Sequence, residues 1–461
     1  MNFNMLIRRL SLMGLLIVLF ATIATAQTPA TTDTLVLSLR EAIQLAIKQN
    51  PQLQSVQLDE EINRYKIKEV KSSALPQVKA NANYNDNYSI ASQLLPAQFF
   101  GGAPGTYQKV QFGTRYNMNA TVQLTQKIYD AGYKTGVKAA KESQGYYELN
   151  TFKSREELIY QVVNLYVQAQ MTEKQIELVQ GNMERMKILL DITTSQFREG
   201  IIKKVDVDQL KVNSTNLTTQ LSNSQNSYAQ LMNNLKTILG ISVYVPLKML
   251  NNLGSEPTLP VSDTLLLNQN TELNLLNYQI KLQQLNTDNI RAGYQPSLSA
   301  FLNYGRQAQT NALFKGSQYS KFGSGVWGLQ LTVPIFDGFE RRNKIKQSTL
   351  TVKQMELNKK YLVSNINSDF VNAGNNLSHN QQVLNAQQEN MQLAEELYTV
   401  AKLSYTEGIS PLPELVNAEN ALREAQTQYL TALFQMNIAQ LEKMKTSGQL
   451  SKIIRESNQV Q

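Results

Sequence analysis

From Val110 to Ile128 apolar and polar positions alternate. Val110, Phe112, Thr114, Tyr116, Met118, Ala120, Val122, Leu124 and Ile128 fall on one side of a period-two pattern. Gln111, Arg115, Asn117, Asn119, Thr121, Gln123 and Lys127 fall on the other. Such alternation predicts an extended strand with one apolar and one polar face. The run exceeds the roughly 5–6 residues of an ordinary globular strand and meets the roughly 9–11 needed to cross a bilayer. Taken alone, it also suits an amphipathic strand of a soluble sandwich.

Three further segments carry the same pattern. Val78, Ala80, Ala82, Tyr84, Tyr88 and Ile90 oppose Lys79, Asn81, Asn83, Asn85, Asn87 and Ser89. Leu298, Ala300, Leu302 and Tyr304 oppose Ser297, Ser299 and Asn303, with Phe301 out of place; Trp327, Leu329, Leu331, Val333 and Ile335 oppose Gly328, Gln330 and Thr332. Strands are therefore expected over 76–90, 110–128, 296–305 and 322–336, as two hairpin-like pairs. Four strands cannot close a barrel, and an open sheet edge is not tolerated in lipid. If these strands span a membrane, several copies of the chain must complete one barrel.

Elsewhere the pattern is helical. Ser38 and Glu41 form a capping box opening a helix over 38–73, which Asn50-Pro51 should break or kink. A tract without proline predicts one helix over 131–198, about 100 Å long at 1.5 Å per residue. Val162, Ala169, Ile176, Met183, Leu190 and Phe197 recur in it every seventh residue, a coiled-coil rhythm. After a break at Glu199-Gly200 a second helix covers 205–239, and 240–262 reads as an irregular, proline-bearing linker. The order then repeats, with helices over 263–292, 338–406 and 412–446. LPQVKANANY (75–84) is echoed by QPSLSAFLNY (295–304), VQLTQKIYDAG (122–132) by LQLTVPIFDGF (329–339), and FREGIIKKVDV (197–207) by YTEGISPLPEL (405–415). The chain thus reads as two repeats, 27–239 and 263–447, followed by a tail over 448–461.

Residues 1–26 read as a secretory signal: Arg8 and Arg9 precede an apolar run that ends in Ala24-Thr25-Ala26. No cysteine occurs, which excludes disulfides, thiolate metal sites and acylation of an N-terminal cysteine. A hydrophobic share of 42%, a mean hydropathy of −0.32 and a net charge of +8 fit a chain that is wet on many faces. The basic residues are scattered, which argues against a nucleic-acid surface. Catalysis finds no foothold: the single histidine, His379, lies mid-helix among Asn and Gln, and Glu156-Glu157 reads as a solvated helix face. No zinc site, triad, phosphate loop or cofactor motif is recognisable.

LSLREAIQLAIKQNPQL (37–53), LPQV (75–78), PIFDG (334–338) and the duplicated turn motifs, in this order and spacing, resemble the TolC family of outer-membrane efflux proteins. The resemblance covers nearly all of the chain after the signal. It implies a homotrimer in the outer membrane, each chain giving four strands to a twelve-stranded barrel, with long coiled-coil helices forming a periplasmic tunnel. The implied partners are a periplasmic adaptor and an inner-membrane RND or ABC pump. Adaptor docking falls to Glu199, Gly200 and Ile201 and to Glu407, Gly408 and Ile409. A gate falls to Glu414, with Asn417 where a second acid is common, and to a latch in which Tyr405 and Asp206 match family positions while Ser410 replaces an arginine. Tyr84, Tyr116 and Trp327 are expected to meet lipid. The competing reading is a structural coiled-coil stalk or adhesin, which has no need of four two-faced strands.

Overall fold

The computed structural model describes residues 34–250, 264–312 and 319–450. The expected signal (1–26), the linker beyond Leu250 and the tail beyond Leu450 lie outside the described residues. In chain order the first half gives β1 (Leu35–Leu37), α1 (Leu39–Gln49), α2 (Pro51–Ser72), β2 (Gln77–Asp86), β3 (Ser92–Pro96), β4 (Tyr107–Gln111), β5 (Tyr116–Tyr129), α3 (Ala131–Arg198) and α4 (Lys204–Leu239). The second half gives β6 (Leu247–Met249), α5 (Thr271–Ala292), β7 (Ser297–Thr310), β8 (Ser320–Thr332), α6 (Glu340–Thr406) and α7 (Leu412–Thr446). The chain passes repeatedly between two compact units. One holds Pro51–Glu157, Val261–Ser378 and Glu442–Gln461; the other holds Met1–Asn50, Leu158–Pro260 and His379–Leu441.

The first unit carries a four-stranded antiparallel sheet in the order β2-β5-β7-β8. The β5–β7 ladder joins the hairpin of one sequence repeat to that of the other. Every residue of β2 and nearly every residue of β8 is exposed, so in the single chain neither sheet face packs on a core. Among the described residues both outer strands leave an unpaired backbone edge, a feature that soluble proteins usually blunt or cover.

Strand limits differ from the sequence reading. The single strand expected over 110–128 is two. Gly113 takes φ +133°, and Asn87 donates its backbone N–H to the Arg115 carbonyl (2.7 Å) and its side-chain amide to the Thr114 carbonyl (3.0 Å). Val110 and Gln111 therefore leave the main sheet and pair with Gln93 and Ser92 in a separate β3–β4 ribbon. The strand expected over 76–90 stops at Asp86, which leaves Tyr88 94% exposed outside any strand. β7 runs five residues beyond the expected end, to Thr310. β8 ends at Thr332, two residues before Pro334, whose missing N–H cannot serve a ladder. The helix expected over 263–292 begins at Thr271, where the Asn270 side chain accepts from Leu273 N–H at 2.9 Å.

In the second unit β1 and β6 form a short parallel ladder that the sequence reading did not contain. The Tyr166 hydroxyl clasps it by donating towards the carbonyls of Leu37 (3.0 Å) and Leu250 (3.1 Å). Val179, Met186, Leu210, Leu217, Leu412 and Val416 make one buried cluster from α3, α4 and α7. The seventh-residue line through α3 is fully buried only at Val162 and Ala169; Met183 and Leu190 are half-buried and Phe197 is exposed. Farther along α3 the buried line runs instead through Val179, Met186 and Thr193. That line keeps the seven-residue spacing but stands three positions on from Ile176, a change of register in keeping with the drift of about 20° per heptad of a helix with 3.6 residues per turn.

Candidate functional site

Residues paired directly across strands share a face, and successive residues alternate. One face therefore carries the rows Val78–Leu124–Leu302–Trp327 and Ala80–Val122–Tyr304–Gly325, and the other carries Asn81–Thr121–Gly305–Ser324 and Asn83–Asn119–Gln307–Phe322. The first is apolar over most of its length; the second is mainly amide and hydroxyl. Tyr84, Tyr116 and Trp327 all stand on the apolar face. Tyr84 and Tyr116 stack with centroids 6.3 Å apart, and Arg115 lies 5.0 Å from the Tyr116 ring while pairing with Asp86 at 3.0 Å. Phe301, out of place in the alternation, stands on the polar face opposite Gly328. A Cβ at 328 would approach its ring to 3.0 Å, so the glycine makes room for the aromatic.

The two helix turns share one geometry. Ile201 N–H donates to the Gln196 carbonyl (2.9 Å) and Gly200 N–H to the Phe197 carbonyl (3.0 Å). In the second turn Ile409 N–H donates to Ser404 (2.8 Å) and Gly408 N–H to Tyr405 (3.1 Å). These are left-handed helix caps, with φ +78° at Gly200 and +70° at Gly408, where a side chain is strained. Each cap throws out the next residue: Ile201 is 65% and Ile409 79% exposed, beside exposed Glu199 and Glu407.

Glu414 and Asn417 are exposed on α7, and Ala421, Glu424, Gln428, Thr431 and Gln435 continue their stripe at helical spacing. The Tyr405 hydroxyl donates to Gln196 Oε1 at 2.7 Å, and burial pushes its phenol above the usual range. Asp206 accepts from the Lys203 backbone N–H at 3.2 Å, capping its own helix. Tyr405 and Asp206 therefore each bond elsewhere in the single chain, and the Ser410 hydroxyl is buried without a hydrogen-bond partner.

Behind this stripe lies a charge pair that the sequence reading missed. Arg185 Nε donates to both carboxylate oxygens of Glu419 at 3.4 Å, contacts Asn182 Oδ1, and lies 5.7 Å from the Tyr398 ring. Glu419 is only 3% exposed. Burial pushes its carboxyl up, against the opposing pull of Arg185, Arg423 and Lys402. The available signal was an acid in register with Leu412, Leu415 and Leu422 on an otherwise apolar stripe. Glu156, expected on a solvated face, is instead half-buried, accepts from the Thr271 hydroxyl (2.7 Å), and is also pushed up by burial. His379 is exposed. Among the described residues no group of His, Asp and Glu is placed to hold a metal ion, and no helix is long and apolar enough to cross a membrane.

Residues 42–241 and 264–448 match the outer membrane efflux protein family, the two stretches corresponding to the two repeats. Outer membrane protein TolC of Salmonella enteritidis is 23% identical over 430 residues, covering 90% of this chain and 82% of that protein. Alkaline protease secretion protein AprF of Pseudomonas aeruginosa is 22% identical over 422 residues, covering 87% and 83%. The CmeC outer membrane channel of Campylobacter jejuni superimposes with a TM-score of 0.69 at 17% identity, over 91% of this chain and 89% of that one. With both repeats matched and the two-faced sheet in place, the chain belongs to the outer membrane efflux protein family.

Proposed function

We propose that three copies of this chain close one twelve-stranded barrel and act as the passive exit duct of an efflux or type I secretion complex. The observation that carries this reading is the sheet: four long antiparallel strands, apolar on one face, polar on the other, packed on neither, and open at both edges. Pairing β8 of one copy with β2 of the next removes every edge, which is the condition for a sheet in lipid. Tyr84, Tyr116 and Trp327 then meet lipid or its interface, and the Asn, Gln and Thr face lines water. A stalk or adhesin leaves that sheet unexplained.

Residues 1–26 direct export, and the mature chain, lacking cysteine, carries no acyl anchor on that residue. The capped turns at Glu199-Gly200-Ile201 and Glu407-Gly408-Ile409 are compact knobs that a periplasmic adaptor grips. An inner-membrane RND or ABC pump supplies the energy. Three Glu414 carboxylates around the axis form the narrowest ring and favour cations. With Asn417 in place of a second acid the ring is weaker, and with Tyr405 held by Gln196 the closed turn rests on hydrogen bonds and packing.

Purified protein should run as a heat-resistant trimer from outer-membrane fractions and conduct ions in planar bilayers. Glu414→Gln should lower cation preference, read as a smaller reversal potential in a salt gradient, while leaving the trimer intact. A protein found as a periplasmic monomer without conductance overturns the proposal.

A further inference from the structure

The apolar face of the sheet holds one feature that lipid contact alone does not account for. Arg306 on β7 lies opposite Gly323 on β8, and Lys321 lies opposite Ala308, so the two cations are diagonal neighbours on the same face. Diagonal neighbours are separated by roughly 7–8 Å. Both line a hollow of about 940 Å³ whose other lining residues include Ala82, Tyr84, Ala120 and Tyr304 of the same face, with the Asn83–Asn119–Gln307–Phe322 row of the other face also contributing to its wall. The hollow exists because small residues sit between large ones; nothing lies within 4 Å of where a Cβ at Gly323 would stand.

Neither cation has an anionic partner among the described residues. Arg306 Nε donates to the Tyr304 hydroxyl at 3.3 Å, and neither residue forms an ion pair. Asp86 is the sole acid in the four strands, and it is taken by Arg115. Two like charges side by side repel, and on a lipid-facing surface they are tolerated only near the headgroup level. Arg306 is four residues from the β7 terminus at Thr310, and Lys321 follows the first residue of β8. Both therefore lie toward the end of the sheet away from the helix connections. A guanidinium and an ammonium beside aromatic and small apolar side chains present donors for a phosphate and a shelf for the chain attached to it.

Resting on the membrane reading above, we propose that Arg306 and Lys321 form a binding site for the phosphate-bearing headgroup of a net anionic lipid in the outer leaflet, one whose phosphate charge no choline cation offsets. Commitment to a lipid rather than free phosphate follows from the setting: the cations open onto the apolar face, not onto the polar one.

Trp327, the only tryptophan, stands on the same face of β8 and gives the readout. The trimer is reconstituted in phosphatidylcholine containing a brominated lipid, either phosphatidylglycerol or phosphatidylcholine, and quenching of Trp327 is measured. The expected result is a preference of about fivefold for brominated phosphatidylglycerol, the scale of one surface cation acting on an anionic headgroup. The preference should vanish in Arg306→Gln/Lys321→Gln and persist in Arg306→Lys/Lys321→Arg, which retains both charges. Quenching by both lipids without preference overturns this site and leaves the membrane reading standing. Absence of quenching by either lipid removes the membrane reading itself. Loss of the preference on adding inorganic phosphate, but not chloride at equal ionic strength, overturns the lipid as ligand and names free phosphate instead.

Discussion

Glu419 lies 3% exposed on a stripe otherwise built of Leu412, Leu415, Leu422 and Ala425. Its charge is tolerated because Arg185 reaches it from α3. Removing one partner of a buried pair leaves the other uncompensated, so Arg185→Ala should destabilise by about 3 kcal/mol, the low end for such pairs because Arg185 is itself partly exposed. Arg185→Met/Glu419→Leu should recover most of that loss, measured by chemical unfolding of the detergent-solubilised trimer. Glu156 allows a test by pH. Its carboxyl is raised in the folded state, chiefly by burial, so its contribution is fully present below the unfolded value of about 4.3 and is lost as pH rises through the folded value. Glu156→Gln should therefore flatten the fall in melting temperature between mildly acidic and neutral pH. At this scale Gly200 and Gly408 were legible, because a glycine after a helix has a conformational reason. Glu419 was less so: a charged residue in a heptad ordinarily marks a solvated position, and only its register with the leucines says otherwise.

Among the elements, β5 shows both the reach and the blind spot of alternation. The pattern located the strand but ran on through Phe112 and Thr114, because period two survives a turn that preserves parity. The break is set by backbone, with Gly113 at φ +133° and Asn87 binding across the turn. The far end of β7 was missed for the opposite reason. Gly305, Arg306 and Gln307 interrupt the hydrophobic pattern while the ladder continues to Thr310, since a ladder needs backbone groups rather than apolar side chains. The β1–β6 ladder is three residues long and too short for any period to register. Leu302→Lys, in the row with Trp327, should cost about 2–4 kcal/mol if the row lies near the bilayer midplane. Asn303→Lys, one residue on, should leave stability within about 0.5 kcal/mol. The yield of heat-resistant trimer in the outer membrane compares the two.

For the whole molecule, the repeat explains why one chain can serve as a third of a ring. Each repeat brings one hairpin, the β5–β7 ladder fuses the two, and the outer strands β2 and β8 present complementary open edges to the next copy. The two-unit division falls within α3 and α6, and the Arg185–Glu419 pair and the Tyr405–Gln196 hydrogen bond both lie in the unit that does not hold the four-stranded sheet. Gly408→Val should strain the second turn by about 1–2 kcal/mol at its left-handed position. It should weaken adaptor crosslinking while conductance of the purified trimer is retained. The absence of native cysteine makes the central geometry directly testable. In the single chain Val122 and Leu302 are more than 40% exposed, so only lipid would shield them. Single cysteines at Gln123 and Asn303, and separately at Val122 and Leu302, should be challenged in intact outer membranes with a water-soluble maleimide. A water-lined row at 123 and 303 predicts labelling there, with partial block of current, and none at 122 and 302. Equal labelling at all four positions, or labelling confined to 122 and 302, would contradict it.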